Sequence, residues 1–182
     1  MAAQGGRAAR QGRDRLRRAA GGQVRLRSLR ELSLALDIGF YHCTRAPAAE
    51  VAVRLCAKAL ESGGRLLIVG ERARLEALDK ALWTQVADSF LPHALAGGAY
   101  DSEQPILLSE TAEPVNGAKL LLSLEAGVPG AMDGFDRVLN LFEDGSPAHE
   151  RARLDWKALG SREELTRSYW QQNERGGWEK RG

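Results

Sequence analysis

The sequence predicts a parallel α/β domain. Short apolar runs alternate with helix-period stretches through the first half of the chain. The run Arg65-Leu66-Leu67-Ile68-Val69 is continuous rather than alternating, as in a strand covered on both faces. The length, 182 residues, supplies one substantial core and too little chain for two.

The elements follow in order. Residues 38–43 are rich in aromatic and branched side chains and predict the first strand. Pro47 suits the first position of a helix. That helix is expected over 48–61, with Ala52, Leu55, Cys56, Ala59 and Leu60 on one face. Gly63-Gly64 ends it. After the strand at 65–69, Gly70 turns the chain. A second helix is expected over 73–83, with Leu75, Leu78 and Leu82 aligned. Ser89-Phe90-Leu91-Pro92-His93 reads as a third, strand-like segment. A glycine-containing loop covers 94–104, and a fourth strand 105–108. Pro114-Val115-Asn116-Gly117 is a turn, followed by strands at 119–124 and 137–142. Ser146 can cap a helix with Pro147 at its first position, running to about Leu159. A further helical stretch is expected over 162–172, then a polar tail at 176–180.

The net charge of +2 conceals an asymmetry. Residues 1–30 hold nine Arg and one Asp, +8, leaving −6 for the remainder. Arg, Ala and Gly make up 20 of those 30 residues. Such a segment cannot bury enough apolar surface to offset its ordering entropy and is expected to be disordered. It reads as a basic arm for nucleic acid, as a transit peptide unusually poor in Ser, or as translated upstream sequence foreign to the natural protein. The mildly acidic body is a poor candidate for general nucleic-acid backbone binding.

Two cysteines, Cys43 and Cys56, stand too far apart for a C-x-x-C pair. That excludes a disulfide scaffold and a cysteine zinc site, fits a reducing cytoplasm, and makes both thiols small buried apolar groups. No apolar run approaches the ~18 residues of a membrane span. The stretch 32–36 is too short and broken for a signal peptide.

Chemistry is hard to place. No G-x-G-x-x-G, Walker loop or G-x-S-x-G elbow is present. His42, His93 and His149 fall on separate elements without metal-ligand spacing, and His42 and His93 read as structural. Glu143-Asp144 and Glu163-Glu164 read as solvated helix ends or loops. No catalytic, cofactor or metal site is expected. The helix from Ser146 stands out. His149, Arg153, Trp156 and Lys157 share one face, with Leu154 and Ala158 directed elsewhere, toward the sheet. Such a face is either a solvated basic surface or a pocket for an acidic peptide bearing an aromatic residue.

Seven segments in order resemble one family: Phe40-Tyr41; Lys58-Ala59 with Gly64-Arg65; Leu78-Asp79-Lys80-Ala81-Leu82-Trp83; Ser89 to His93; Gln104-Pro105-Ile106-Leu107-Leu108; Arg151-Ala152-Arg153 with Trp156-Lys157; and Tyr169-Trp170-Gln171-Gln172 with Gly177-Trp178-Glu179-Lys180. Together they resemble the chi subunit of bacterial DNA polymerase III from Asp37 to about Lys180. The resemblance implies a Rossmann-like three-layer α/β/α fold with a mostly parallel sheet, a single domain over 37–182, and an extension over 1–36 that the family does not require. It implies a non-catalytic, cytoplasmic replisome adaptor without cofactor. One face is expected to bind the psi subunit or another clamp-loader subunit, with Phe90 on it. Another is expected to bind the acidic C-terminal tail of the single-stranded-DNA-binding protein. Arg153 is the main ligand there, helped by Phe142, His149, Trp156 and Lys157. The competing reading is a small Rossmann-type nucleotide-dependent enzyme, which the missing glycine loops disfavour.

Overall fold

In the computed structural model, residues 35–84 and 90–182 are described. The basic arm, to residue 34, and Ser89 of the pentapeptide lie outside the described residues.

The strands are β1 (Leu36–Cys43), β2 (Leu66–Gly70), β3 (His93–Leu95), β4 (Ile106–Ser109), β5 (Leu120–Leu124), β6 (Arg137–Glu143), β7 (Leu165–Gln172) and β8 (Trp178–Lys180). They form one sheet in the order β3-β4-β2-β5-β6-β1-β7-β8. Every pairing is parallel except β7 with β8. Helices α1 (Ala48–Glu61) and α2 (Arg72–Thr84) pack on one face, and α3 (Pro147–Ala158) on the other.

The strand period of two sorts the core. Leu66, Ile68, Leu122, Leu139 and Leu141 meet α1 and α2. Leu67, Leu121, Val138, Phe40 and Phe142 meet α3 and the loops on either side of β5, through Ala118, Val128, Met132 and Phe135. All ten strand residues are buried, which is why β2 reads as an unbroken apolar run. Helix α1 buries Val51, Ala52, Val53, Cys56 and Ala59. Cys43 and Cys56 sit in that layer, and burial pushes both thiols up to about 12.

Four expectations are corrected. Residues 162–172 are not helical: β7 occupies 165–172 beside β1. Thr166, Tyr169 and Trp170 are strand formers, and pairing with β1 gives them their ladder. The polar tail is likewise β8, antiparallel to β7. The third strand begins only at His93. Pro92 lacks the amide that a strand ladder requires, and Phe90 and Leu91 before it are in no strand. Lastly, Leu154 is 64% exposed and Ala158 is exposed, so α3 turns Ala148, His149 and Ala152 to the sheet instead.

Candidate functional site

Chain direction at two adjacent strands makes a crevice. From the carboxyl end of β1 the chain runs through α1 to β2, on one face. From the neighbouring β6 it runs through α3 to β7, the opposite way and on the other face. A parallel sheet leaves an opening where its connections diverge, and ligands of open α/β folds favour that place.

Nucleotide phosphates would need the free N–H groups at the start of α1. Here the first of them, on Ala48, is taken, as are two loop N–H groups just before the helix. Gln172 Oε1 accepts from Arg45 N at 2.9 Å and Ala46 N at 3.1 Å, and Glu143 Oε1 accepts from Ala48 N at 2.7 Å. Glu143 is therefore the cap that Pro47 cannot supply, not the solvated carboxylate expected from its sequence neighbourhood.

On the α3 side a groove of ≈ 590 Å³ opens. Ser146 caps α3 by accepting from His149 N at 3.2 Å, and Pro147 occupies the first turn. The turn fixes the phase of the helix and aims His149, Arg153, Trp156 and Lys157 at the groove. Phe142 joins them from the end of β6, so all five residues expected there line one surface. Their roles differ. Phe142 is fully buried and forms the floor, stacked beneath His42 and His149 at centroid distances of 5.3 and 5.4 Å. His149 is 8% exposed rather than a solvated imidazole. Trp156 is wedged edge-on against Phe40 at 5.2 Å and Tyr169 at 6.1 Å, with the Arg167 guanidinium 4.2 Å above its ring. Arg153 is accessible, and among the described residues its one ion pair is with the exposed Glu150 at 3.2 Å.

Six lining residues are not among those the sequence predicts: His42, Ala152, Tyr169, Gln171, Arg181 and Gly182. Tyr169-Trp170-Gln171-Gln172 was singled out, but reading it as helix hid which side chains alternate toward α3. The groove thus carries Arg153, Lys157 and Arg181, with no carboxylate side chain among its lining residues.

At its inner end the histidines, separated in sequence, come together. The rings of His42 and His149 are 4.4 Å apart. His42 Nε2 and His149 Nδ1 approach Asp144 Oδ1 at 3.2 and 3.3 Å, and the Tyr169 hydroxyl lies 3.0 Å from His42 Nδ1. Burial holds His42 below the ordinary imidazole range, His149 adds to the effect, and Asp144 opposes it. His93 sits elsewhere, its Nδ1 on the Leu91 carbonyl at 2.6 Å, as a structural residue does.

A family model described as DNA polymerase III chi subunit, HolC, matches residues 36–166. The chain belongs to the DNA polymerase III chi subunit family. Among its relatives, the DNA polymerase III subunit chi of Pseudomonas aeruginosa is 32% identical over 105 residues, covering 57% of this chain and 72% of the relative. That of Haemophilus influenzae is 28% identical over 112 residues, covering 60% and 78%. This chi-family chain is thus an accessory protein of DNA replication. The family match includes α3 but stops before Tyr169, so the β7 side of the groove lies beyond it.

The expected second contact residue lies apart from the groove. Phe90 is 71% exposed and Trp83 58%, with ring centroids 5.9 Å apart. Trp83 closes α2 and also packs against His93 at 4.9 Å. Among the described residues, no helix is long and apolar enough to cross a membrane.

Proposed function

We propose that this chain is a non-catalytic, cytoplasmic adaptor that joins the clamp loader to the single-stranded-DNA-binding protein. The observation that carries the proposal is the groove beside α3: three cationic side chains, Asp144 only at the inner end against two histidines, Glu179 paired with Arg181, and an apolar floor and wall from Phe142 and Trp156. That combination suits an acidic peptide whose last residue is aromatic with a free carboxylate. Arg153 grips the carboxylate, Lys157 and Arg181 meet the preceding acidic residues, and the ring lies against Trp156. The exposed Phe90–Trp83 pair is the proposed contact for a psi subunit or another clamp-loader subunit, because large exposed aromatics are the usual anchors of protein interfaces. The Glu143 carboxylate on the Ala48 amide sets a negative charge where a nucleotide phosphate would dock, which favours the adaptor over a nucleotide-dependent enzyme.

Fluorescence anisotropy with a labelled acidic tail peptide tests the proposal. Saturable binding that weakens with salt and is lost when the terminal aromatic residue is removed supports it. Indifference to the missing residue refutes it.

A further inference from the structure

We propose that His42, Asp144 and His149 form a three-ligand site for a divalent transition-metal ion of the zinc class, its remaining coordination position open to the groove. His42 Nε2 and His149 Nδ1 converge on one oxygen, Asp144 Oδ1, at 3.2 and 3.3 Å. All three atoms lie within 4.8 Å of one another. Around a tetrahedral ion with bonds of about 2.0–2.1 Å, neighbouring ligand atoms stand about 3.3 Å apart. Both nitrogen–oxygen separations already match that edge. Two imidazoles and one carboxylate are also the donor set of open zinc sites, which keep a fourth position for an exchangeable ligand.

The surroundings fit. A ligating histidine usually has its other nitrogen held by a hydrogen bond that fixes the ring. The Tyr169 hydroxyl lies 3.0 Å from His42 Nδ1, leaving Nε2 for the ion. Gly145 N–H approaches His149 Nδ1 at 3.4 Å, a long bond that an ion would replace. Both imidazoles are fixed within the fold, whereas the Asp144 side chain is 71% exposed and can adjust. The site lies in the crevice where the β1 and β6 connections diverge. Arg153 faces the same space and opposes a dication, and Asp144 offsets one of its charges. If the peptide reading above holds, the open position takes a carboxylate oxygen of the docked tail.

The test titrates the untagged full-length chain with Co²⁺, with no peptide present. One Co²⁺ per chain with the visible absorption of a tetrahedral site, displaced by Zn²⁺, is expected. Asp144→Asn alters an exposed side chain and should weaken binding at least about ten-fold, and His149→Gln should abolish it. Tyr169→Phe should weaken it by about ten-fold through the loss of the bond to His42. Arg153→Ala should bind Co²⁺ at least as tightly as the parent chain. No absorption band, a band that survives Asp144→Asn and His149→Gln, or loss of binding in Arg153→Ala would each overturn the assignment. If His149→Gln does not fold, Asp144→Asn still decides. Failure of the peptide reading leaves the Co²⁺ result standing. In a separate arm, Zn²⁺ should tighten tail-peptide binding in the parent chain and not in Asp144→Asn. Equal tightening in both would show that the peptide does not reach this ion.

Discussion

Replacing Arg153 with Ala should separate binding from folding. The side chain is 63% exposed, and its one ion pair joins it to Glu150, 72% exposed, one helical turn earlier. An exposed pair of that kind contributes little to stability, so the melting temperature should hardly move. A planar guanidinium holding a terminal carboxylate through two parallel bonds contributes about 1.5–3 kcal/mol. Its removal should weaken tail-peptide binding by about ten- to a hundred-fold. Glu150 competes for the same guanidinium, which places the expected effect toward the lower end. Glu150→Gln should therefore raise affinity, by less than about three-fold. Arg153→Lys should recover only part of the loss, because an ammonium cannot form the fork. The assay is fluorescence anisotropy against salt, beside a thermal melt of each variant. Wild-type affinity in Arg153→Ala would remove the residue from the site. A large fall in melting temperature would show that the geometry had been misjudged.

Phe90→Ala should weaken capture of clamp-loader subunits while leaving tail binding and the melting temperature unchanged, since the ring is 71% exposed; unfolding of the variant would make Phe90 a core residue. Trp156→Ala should cost about 2–3 kcal/mol in urea denaturation, because the ring packs on Phe40 and Tyr169 and carries Arg167. A wild-type urea midpoint would make it a pure contact residue. Glu143→Ala should cost about 1 kcal/mol by leaving the Ala48 amide without its cap, and no loss would show that water replaces it. Neither Cys43 nor Cys56 should react with an alkylating reagent at mildly alkaline pH until the chain is denatured, because burial raises both thiols to about 12. Rapid labelling of the folded chain would contradict that.

The sequence by itself determined the first helix, the two inner strands and the cap of α3. Their signals are local: a proline at the first helical turn, a glycine pair past the last, an unbroken apolar run, and a serine whose oxygen reaches the amide three residues on. The groove-facing side of α3 was legible for the same reason, since helix phase follows from the capped first turn. What lay beyond was decided by pairing across the chain. Residues 165–172 become a strand because β1 offers them a ladder; Thr166, Tyr169 and Trp170 favour that state, but nothing local names the partner strand. That strand carries Tyr169 to His42, across 127 residues of sequence. Likewise His42 and His149 share no local pattern. They meet because β1 and β6 are neighbours whose connections part in opposite directions, and that adjacency exists only once the sheet has closed.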